Sequence, residues 1–245
     1  MPFQARRVKP RDGFLQREAC CTARSPCLQD AFAAIMHRMT AKIITIAQQK
    51  GGAGKTTLIV HLATFWTAQG RKVAVVDIDP QASVSQWAKL RQARQGLAAP
   101  LVTSVTGWRT AGEVERLART YDLVLIDSPP HAATEARIAI RAAQRVLVPL
   151  QPSVLDLWAT KATLDLAAEE KRPAQLVLNR VPSRGKAAQE VVEEAARQGL
   201  PLAPHRIGNR TALAASLAAG LGIAEFEPNG AAAQEIAALA RGITD

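Results

Sequence analysis

Short apolar runs recur along this chain, and between them lie stretches in which apolar residues follow the spacing of a helix. The first run, IITIA at residues 43–47, is rich in β-branched side chains and is typical of a buried strand. From Lys55 to Gln69 the apolar residues recur every three or four positions, which predicts a helix. The alternation predicts an α/β fold with a mostly parallel sheet flanked by helices on both faces. The predicted strands are residues 43–47, 72–77, 101–105, 122–127, 145–149, 174–179 and 202–206.

A glycine-rich loop joins the first predicted strand to the first predicted helix. Glycines at this junction let the backbone take positive φ and approach an oxyanion, while the first free N–H groups of the helix point at the charge. Lys55 is placed to reach phosphate oxygens, and the Thr56 hydroxyl to complete a Mg²⁺ shell. A glycine turn before an ordinary helix is the alternative, and the order of strand, glycines, Lys-Thr and helix disfavours it. The predicted phosphate-binding residues are Gly51, Gly52, Ala53, Gly54, Lys55, Thr56 and Thr57.

The loop departs from the common P-loop pattern at two positions. Gln49 stands where that pattern has its first glycine, and Lys50 adds a second lysine inside the loop. The sequence KGGAGKTT resembles the deviant Walker A loop of the ParA/MinD family of P-loop ATPases. That resemblance implies ATP and Mg²⁺ as cofactors. It also implies that Lys50 reaches the nucleotide of a second subunit in an ATP-bound homodimer.

Carboxylates follow two of the predicted strands. Asp77 and Asp79 end the run KVAVVDID, and Asp127 ends LVLID. A carboxylate just beyond a buried strand beside a phosphate loop can hold Mg²⁺ or orient water, although each one alone could instead cap a helix. DIDPQ and DSPP also resemble motifs of the same family. The resemblance assigns water positioning to Asp79, the magnesium shell to Asp127 together with Thr56, and a supporting role to Asp77; the catalytic residues are then Lys50, Lys55 and Asp79.

The resemblance extends from Ala41 to the end of the chain. RVLVPL at 145–150, followed by QPSVLDL, is similar to the strand and switch segment after the magnesium site. AQLVLNRV at 174–181 is similar to the strand whose end holds the adenine base, which implies a base contact for Asn179. An amide can both donate to and accept from a purine edge. A strand-ending turn residue is an equally good interpretation of Asn179.

Residues 1–38 differ in kind from the rest. They carry all three cysteines and seven Lys/Arg against three Asp/Glu, without a convincing periodicity. We expect a flexible extension before an ATPase domain at 39–245, and the alternative that Met1 lies upstream of the biological start stays open. Adjacent Cys20 and Cys21 and the absence of a His pair at metal-binding spacing disfavour a disulfide or a metal site. We therefore expect a cytoplasmic protein.

The charge balance indicates a polyanionic partner. Residues 39–245 hold 24 Lys/Arg and 18 Asp/Glu, so the basic excess is not confined to the extension. Cations that follow two strand ends could bind phosphate backbone without reading sequence, and a solvated basic surface is the alternative. The candidate DNA-binding residues are Arg180, Arg184, Lys186, Arg206 and Arg210.

The resemblance is to short ParA proteins of partition and cargo-positioning systems. It implies a nucleoid-associated homodimer that binds DNA non-specifically, with a ParB-like or cargo-adaptor partner that stimulates slow ATP hydrolysis. The alanine-rich segment 231–245 lacks the basic amphipathic pattern of a membrane-binding helix, so we expect no membrane partner. No cysteine after Cys27 is present to hold an iron–sulfur cluster. A metabolic P-loop ligase or synthetase acting on a small carboxylic acid stays open as the alternative from another class.

Overall fold

The computed structural model describes residues 41–130 and 133–244. The expectation of a flexible extension at residues 1–38 therefore lies outside the described residues. Within the described ranges no helix is both long and apolar enough to cross a bilayer.

Six parallel strands form one sheet in the order β3-β2-β4-β1-β5-β6. The central strands are buried on both faces, which is why their sequences are near-continuous apolar runs rather than alternating ones. The predicted α/β class and mostly parallel sheet are confirmed. The strands are β1 (Lys42–Ile46), β2 (Val73–Asp77), β3 (Leu101–Ser104), β4 (Leu123–Asp127), β5 (Arg145–Leu150) and β6 (Ala174–Leu178).

Helices cover both faces of this sheet. The first, second and last three pack on one face, and the remaining four pack on the other. A short 3₁₀ helix at Gly107–Arg109 precedes the third α-helix. The α-helices are α1 (Lys55–Ala68), α2 (Ser83–Gln92), α3 (Thr110–Ala118), α4 (Ala133–Ala142), α5 (Val154–Glu169), α6 (Ala187–Arg197), α7 (Thr211–Ala218), α8 (Ile223–Phe226) and α9 (Ala231–Thr244).

Strand β1 shows how the alternation of side chains divides the core. Ile44 and Ile46 point to the face covered by α1, where they join the larger apolar cluster. Thr45 between them points to the opposite face, and its hydroxyl donates a hydrogen bond to the Ala139 carbonyl of α4 at 2.8 Å. A polar side chain is thereby satisfied inside the core, and β1 is fixed between two helical layers.

The predicted seventh strand at residues 202–206 is wrong as a continuous strand. The segment runs beside β6 and bonds to it at both ends: Ala203 N–H donates to the Leu176 carbonyl at 2.8 Å, and Ile207 N–H to the Leu178 carbonyl at 2.9 Å. Beyond these bonds it forms only two isolated bridges, one from Leu202 to Leu176 and one from Gly208 to Val181. From Ala203 to Ile207 the segment advances four residues while β6 advances only two, so the extra residues break the regular pairing of a parallel strand.

The parallel order brings three strand ends together. In the register of the sheet, Asp127 at the end of β4 lies opposite both Ile46 of β1 and Asp77 of β2. The loop after β1 and the carboxylates after β2 and β4 therefore meet at the carboxyl edge of the sheet, where open α/β sheets bind ligands.

Candidate nucleotide-binding site

The glycine-rich loop between β1 and α1 needs glycine at two positions. Gly52 and Gly54 have φ values of +77° and +89°, a region that side chains with a Cβ rarely adopt. A Cβ on Gly54 would also lie 2.4 Å from the Asn179 amide nitrogen, whereas one on Gly52 would meet nothing within 4 Å. The loop is thus pressed against the end of β6 at Gly54, and α1 starts directly after it.

Lys55 begins α1 with its side chain buried at the bottom of the loop. Its ammonium group donates to the Gln48 carbonyl at 3.1 Å. Burial lowers the pKa of Lys55, and the charges of Asp127 and Asp79 oppose that shift. A buried ammonium with one carbonyl acceptor retains donors for phosphate oxygens, which is the role predicted for this residue.

Thr56 and Asp127 are joined across the sheet edge. The Thr56 hydroxyl donates to the Asp127 carboxylate at 2.9 Å. Asp127 is fully buried, and its second oxygen, Oδ1, has no hydrogen-bond partner among the described residues. Burial raises the pKa of Asp127 to about 7. An orphaned buried carboxylate oxygen beside a hydroxyl fits Mg²⁺, which takes one or two protein oxygens and fills its remaining positions with water and phosphate.

Asp77 supports the turn after β2 rather than facing the loop. Its Oδ1 accepts the Asp79 N–H at 3.2 Å, and its Oδ2 accepts both the N–H and the hydroxyl of Ser85, at 3.0 and 2.7 Å. These bonds tie the strand end to the first turn of α2. The supporting role expected for Asp77 thus has a definite set of contacts.

Asp79 lies beyond the end of β2, on the turn that the Asp77 side chain stabilises. Its Oδ1 accepts the Gln81 N–H at 2.9 Å, and the residue is half-buried. Its negative charge acts on both Lys55 and Asp127. The carboxylate therefore shares the electrostatic environment of the phosphate loop, and its role in positioning water stays a prediction.

Lys50 is held in its own subunit by a residue that sequence reasoning missed. Its ammonium forms an ion pair with Asp156 in the first turn of α5. Its backbone N–H donates to the side-chain oxygen of buried Gln48 at 3.3 Å. Asp156 lies within QPSVLDL, the segment that is similar to the switch segment of the family. That position was the only sign in the sequence that Asp156 belongs to the site.

Asn179 contacts the loop rather than standing clear of it. Its amide nitrogen donates to the Ala53 carbonyl at 2.8 Å, and its amide oxygen accepts the Arg180 N–H at 3.0 Å. The side chain is buried. It therefore braces the phosphate loop from β6, while its contact with a base stays a prediction.

The five candidate DNA-binding cations are exposed but not equivalent. Arg206 and Arg210 share a polar cleft with the segment that follows β6. Arg210 forms a two-pronged ion pair with Glu235 of α9, at 3.1 and 2.6 Å, and Glu235 also accepts the Gly208 N–H. Part of the positive charge predicted for this edge is therefore neutralised within the protein.

Residues 44–223 match the family model described as the CobQ/CobB/MinD/ParA nucleotide binding domain, which covers well over half of the chain. The chain belongs to this family. The ParA/MinD resemblance and the ATPase class predicted from the loop are thereby confirmed. The matched range contains the loop, both carboxylate turns and Asn179.

Relatives of this ParA/MinD-type ATPase include a protein named for the distribution of carboxysomes. The chain is 27% identical over 201 residues to the maintenance of carboxysome distribution protein A of Halothiobacillus neapolitanus, covering 79% of this chain and 92% of that protein. It is 29% identical to protein IncC of Escherichia coli, covering 82% and 68%. Cobyrinic acid a,c-diamide synthase from Mycobacterium smegmatis shares the fold, with a TM-score of 0.69, 18% identity and coverage of 83% and 94%.

Proposed function

We propose that this protein is an ATP-dependent dimerising ATPase that binds DNA non-specifically and segregates or positions a cargo. The observation that carries the proposal is the contrast between the two lysines of the loop. The side chain of Lys50 is 44% exposed and turned toward α5, whereas Lys55 is 7% exposed and lies under the loop. This contrast supports a buried lysine that binds the nucleotide of its own subunit and an exposed lysine that can reach a second subunit. We further propose that residues 39–245 form the ATPase domain.

Three residues would hold the nucleotide and its metal ion. Lys55 donates to phosphate oxygens, while Thr56 and Asp127 provide the oxygen ligands for Mg²⁺. Bound Mg²⁺ neutralises charge on the phosphate oxygens during transfer. Asp79, on the neighbouring turn, orients the attacking water, and Asn179 contacts the base from the end of β6.

Pairing and nucleotide occupancy are linked through Lys50. To reach a partner's phosphates, its ammonium has to leave Asp156, so the two contacts compete. A ligand shifts such an equilibrium only by its unequal affinity for the two states. The γ-phosphate supplies that difference here because it offers Lys50 additional oxygen acceptors in the paired state.

The proposed cargo system follows from the relatives. The name of one similar protein refers to carboxysome distribution, which suits an ATPase that moves along nucleoid DNA. We propose a ParB-like or cargo-adaptor protein as the partner that stimulates hydrolysis. The paired protein then stays on the nucleoid until that partner triggers its release.

Light scattering after gel filtration tests the pairing directly. With Mg²⁺ and a non-hydrolysable ATP analogue, we expect a mass of two chains, and with ADP a mass of one. Lys50→Ala, which retains Lys55, should bind the analogue and remain a single chain. A wild-type protein that stays monomeric with saturating analogue would refute the proposal.

A ligase or synthetase acting on a small carboxylic acid is the second candidate. The observation in its favour is the fold shared with cobyrinic acid a,c-diamide synthase. The two functions differ in what accelerates ATP turnover. We expect acceleration by DNA together with the partner, and an increase produced by a small carboxylic acid alone would favour the ligase.

A further inference from the structure

Cations gather at the amino edge of the sheet, opposite the nucleotide site. Some begin strands or directly precede them, and others lie at helix ends that return to this edge. None of them belongs to the candidate DNA-binding set of the carboxyl edge. We call them the amino-edge cations: Lys42, Arg71, Lys72, Arg119, Arg145, Lys171, Arg172 and Arg241.

The register of the sheet aligns the strand starts that carry or follow most of these residues. The Lys72 carbonyl accepts the Asp122 N–H at 2.8 Å, which aligns the starts of β2 and β4. Lys42 lies opposite Leu123 at the start of β4, and Arg145 opposite Ile44 of β1. Neighbouring strands lie about 4.8 Å apart, so four intervals from β2 to β6 span roughly 19 Å.

Half of the amino-edge cations have structural partners. Lys42 donates to the Thr244 carbonyl, Arg145 to the Ile243 carbonyl at 3.1 Å, and Arg172 to the Arg141 carbonyl at 2.8 Å. These contacts compensate the negative ends of α9 and α4. Arg71 forms a loose ion pair with Asp122, at 3.8 Å.

The other half have no such explanation. They are exposed, and their side chains make no hydrogen bond or ion pair with any described residue: Lys72, Arg119, Lys171 and Arg241. The nearby acids do not balance them. Asp122 already faces Arg71, and Glu170 is bound by both Arg137 and Arg141. The amino edge therefore carries excess positive charge that helix capping does not use.

We propose that the amino-edge cations form the surface that binds the phosphate backbone of duplex DNA. This inference rests on the proposed DNA binding and assigns it to the face opposite the one expected from the sequence. A line of flexible cations suits contact with phosphates rather than with base edges. Pairing through Lys50 at the carboxyl edge leaves this face uncovered. At the carboxyl edge, by contrast, Arg210 is already paired with Glu235.

Two triple variants with equal loss of charge separate the two faces. The amino-edge variant carries Lys72→Gln, Arg119→Gln and Arg241→Gln, and the control carries Arg180→Gln, Arg184→Gln and Lys186→Gln. Binding of a random duplex is measured by fluorescence anisotropy from 50 to 300 mM salt, with Mg²⁺ and a non-hydrolysable ATP analogue. The logarithm of the binding constant falls linearly with the logarithm of the salt concentration, and each lost phosphate contact lowers the magnitude of this salt slope by about 0.9. We expect the magnitude of the salt slope to be lower by about 2 to 3 in the amino-edge variant than in the wild type. Its basal ATP turnover should equal that of the wild type.

The possible outcomes distinguish a failure of this inference from a failure of the proposed DNA binding on which it rests. If the salt slope fell in the control variant and stayed at the wild-type value in the amino-edge variant, the inference would be overturned. The proposed DNA binding itself would still stand. Wild-type protein that binds no duplex at 50 mM salt in any nucleotide state would instead overturn the proposed DNA function. Binding of anionic vesicles in preference to DNA, lost in the amino-edge variant, would reassign the surface to membranes and also overturn the inference.

Discussion

Lys50 and Asp156 form an ion pair that joins the phosphate loop to the first turn of α5. The two partners lie 106 residues apart in the chain. The Asp156 side chain is only 7% exposed, and its second oxygen accepts the Gln151 N–H at 3.3 Å, so the carboxylate keeps one hydrogen bond when the Lys50 ammonium leaves it. A lysine proposed to act on a partner's nucleotide therefore starts from a bound position in its own subunit.

Asp156→Asn should favour pairing. The substitution removes the charge that retains Lys50 and keeps a side chain of similar size. Partly exposed ion pairs contribute about 0 to 1 kcal/mol, so we expect a dimer dissociation constant lower by roughly 2- to 5-fold at saturating analogue, measured by sedimentation velocity. Asp165→Asn on the same helix, which breaks the exposed pair with Lys161, is the control. Weaker pairing in Asp156→Asn would show that the carboxylate itself is needed in the dimer.

Lys50→Ala should abolish partner-stimulated ATP turnover while leaving nucleotide binding close to wild type. The reason is that Lys55, Thr56 and Asp127 remain in place for binding, whereas the cation supplied to the other subunit is lost. Single-turnover hydrolysis with and without partner and DNA measures the effect, and Lys161→Ala controls for the loss of an exposed lysine. Unchanged stimulated turnover would refute the assignment of Lys50 to the partner's site.

Gly54→Ala should damage the nucleotide site far more than Gly52→Ala. Both positions have positive φ, which costs a non-glycine residue about 1 kcal/mol or more. Only at Gly54 does the new Cβ also meet the Asn179 amide, at 2.4 Å. We expect at least tenfold weaker binding of a fluorescent ATP analogue for Gly54→Ala and a few-fold loss for Gly52→Ala. Equal losses would mean that the contact with Asn179 is unimportant.

Whether a contact of this site can be predicted from the sequence depends on how far apart its two residues lie along the chain. Lys55 and Thr56 follow from a local pattern, because one loop and one helix start determine their placement. Asp156 and Glu235 could not be predicted, since each meets its cation only after distant segments pack together. The seventh strand failed because the irregular pairing of residues 202–206 with β6 arises only when the two segments pack together. Strand order likewise depends on packing of the whole sheet.

Magnesium binding should strengthen with pH up to about 7 and then level off. Burial raises the pKa of Asp127 to about 7, so below that pH a proton competes with the metal ion for the carboxylate. Each pH unit below 7 then costs up to about tenfold in Mg²⁺ affinity. Calorimetric Mg²⁺ titrations of the nucleotide complex between pH 5.5 and 8 measure this dependence. Asp127→Asn should bind Mg²⁺ weakly at every pH, and a wild-type affinity that is flat across the range would contradict the assignment.

The same buried proton affects folding in the opposite sense to metal binding. Because the folded pKa of Asp127 lies above the unfolded value near 4, the folded protein binds more protons between pH 4 and 7. The free energy of unfolding without nucleotide should therefore fall as pH rises through that window. Asp127→Asn should remove this fall, which urea denaturation at several pH values can detect.

His61 should give the reverse dependence on pH. It is buried in α1, where Nδ1 accepts the Ile223 N–H and Nε2 donates to the Leu213 carbonyl, both at 3.2 Å. Burial lowers the pKa of His61 to about 4, while the bond to Leu213 opposes the shift. Since the unfolded chain takes up this proton near pH 6.5, stability should fall as pH drops from 6.5 to 4, by up to about 3 kcal/mol.

His61→Gln isolates this contribution, because an amide can both donate and accept but does not titrate in this range. The quantity to measure is the difference in unfolding free energy between wild type and variant, from urea denaturation between pH 4.5 and 7.5, so that the effect of Asp127 cancels. We expect the wild type to lose its advantage as pH falls. His205→Gln, at a half-buried loop position, controls for the loss of a histidine. A difference that stays constant with pH would show that His61 has the same pKa in the folded and unfolded states, and would contradict the prediction.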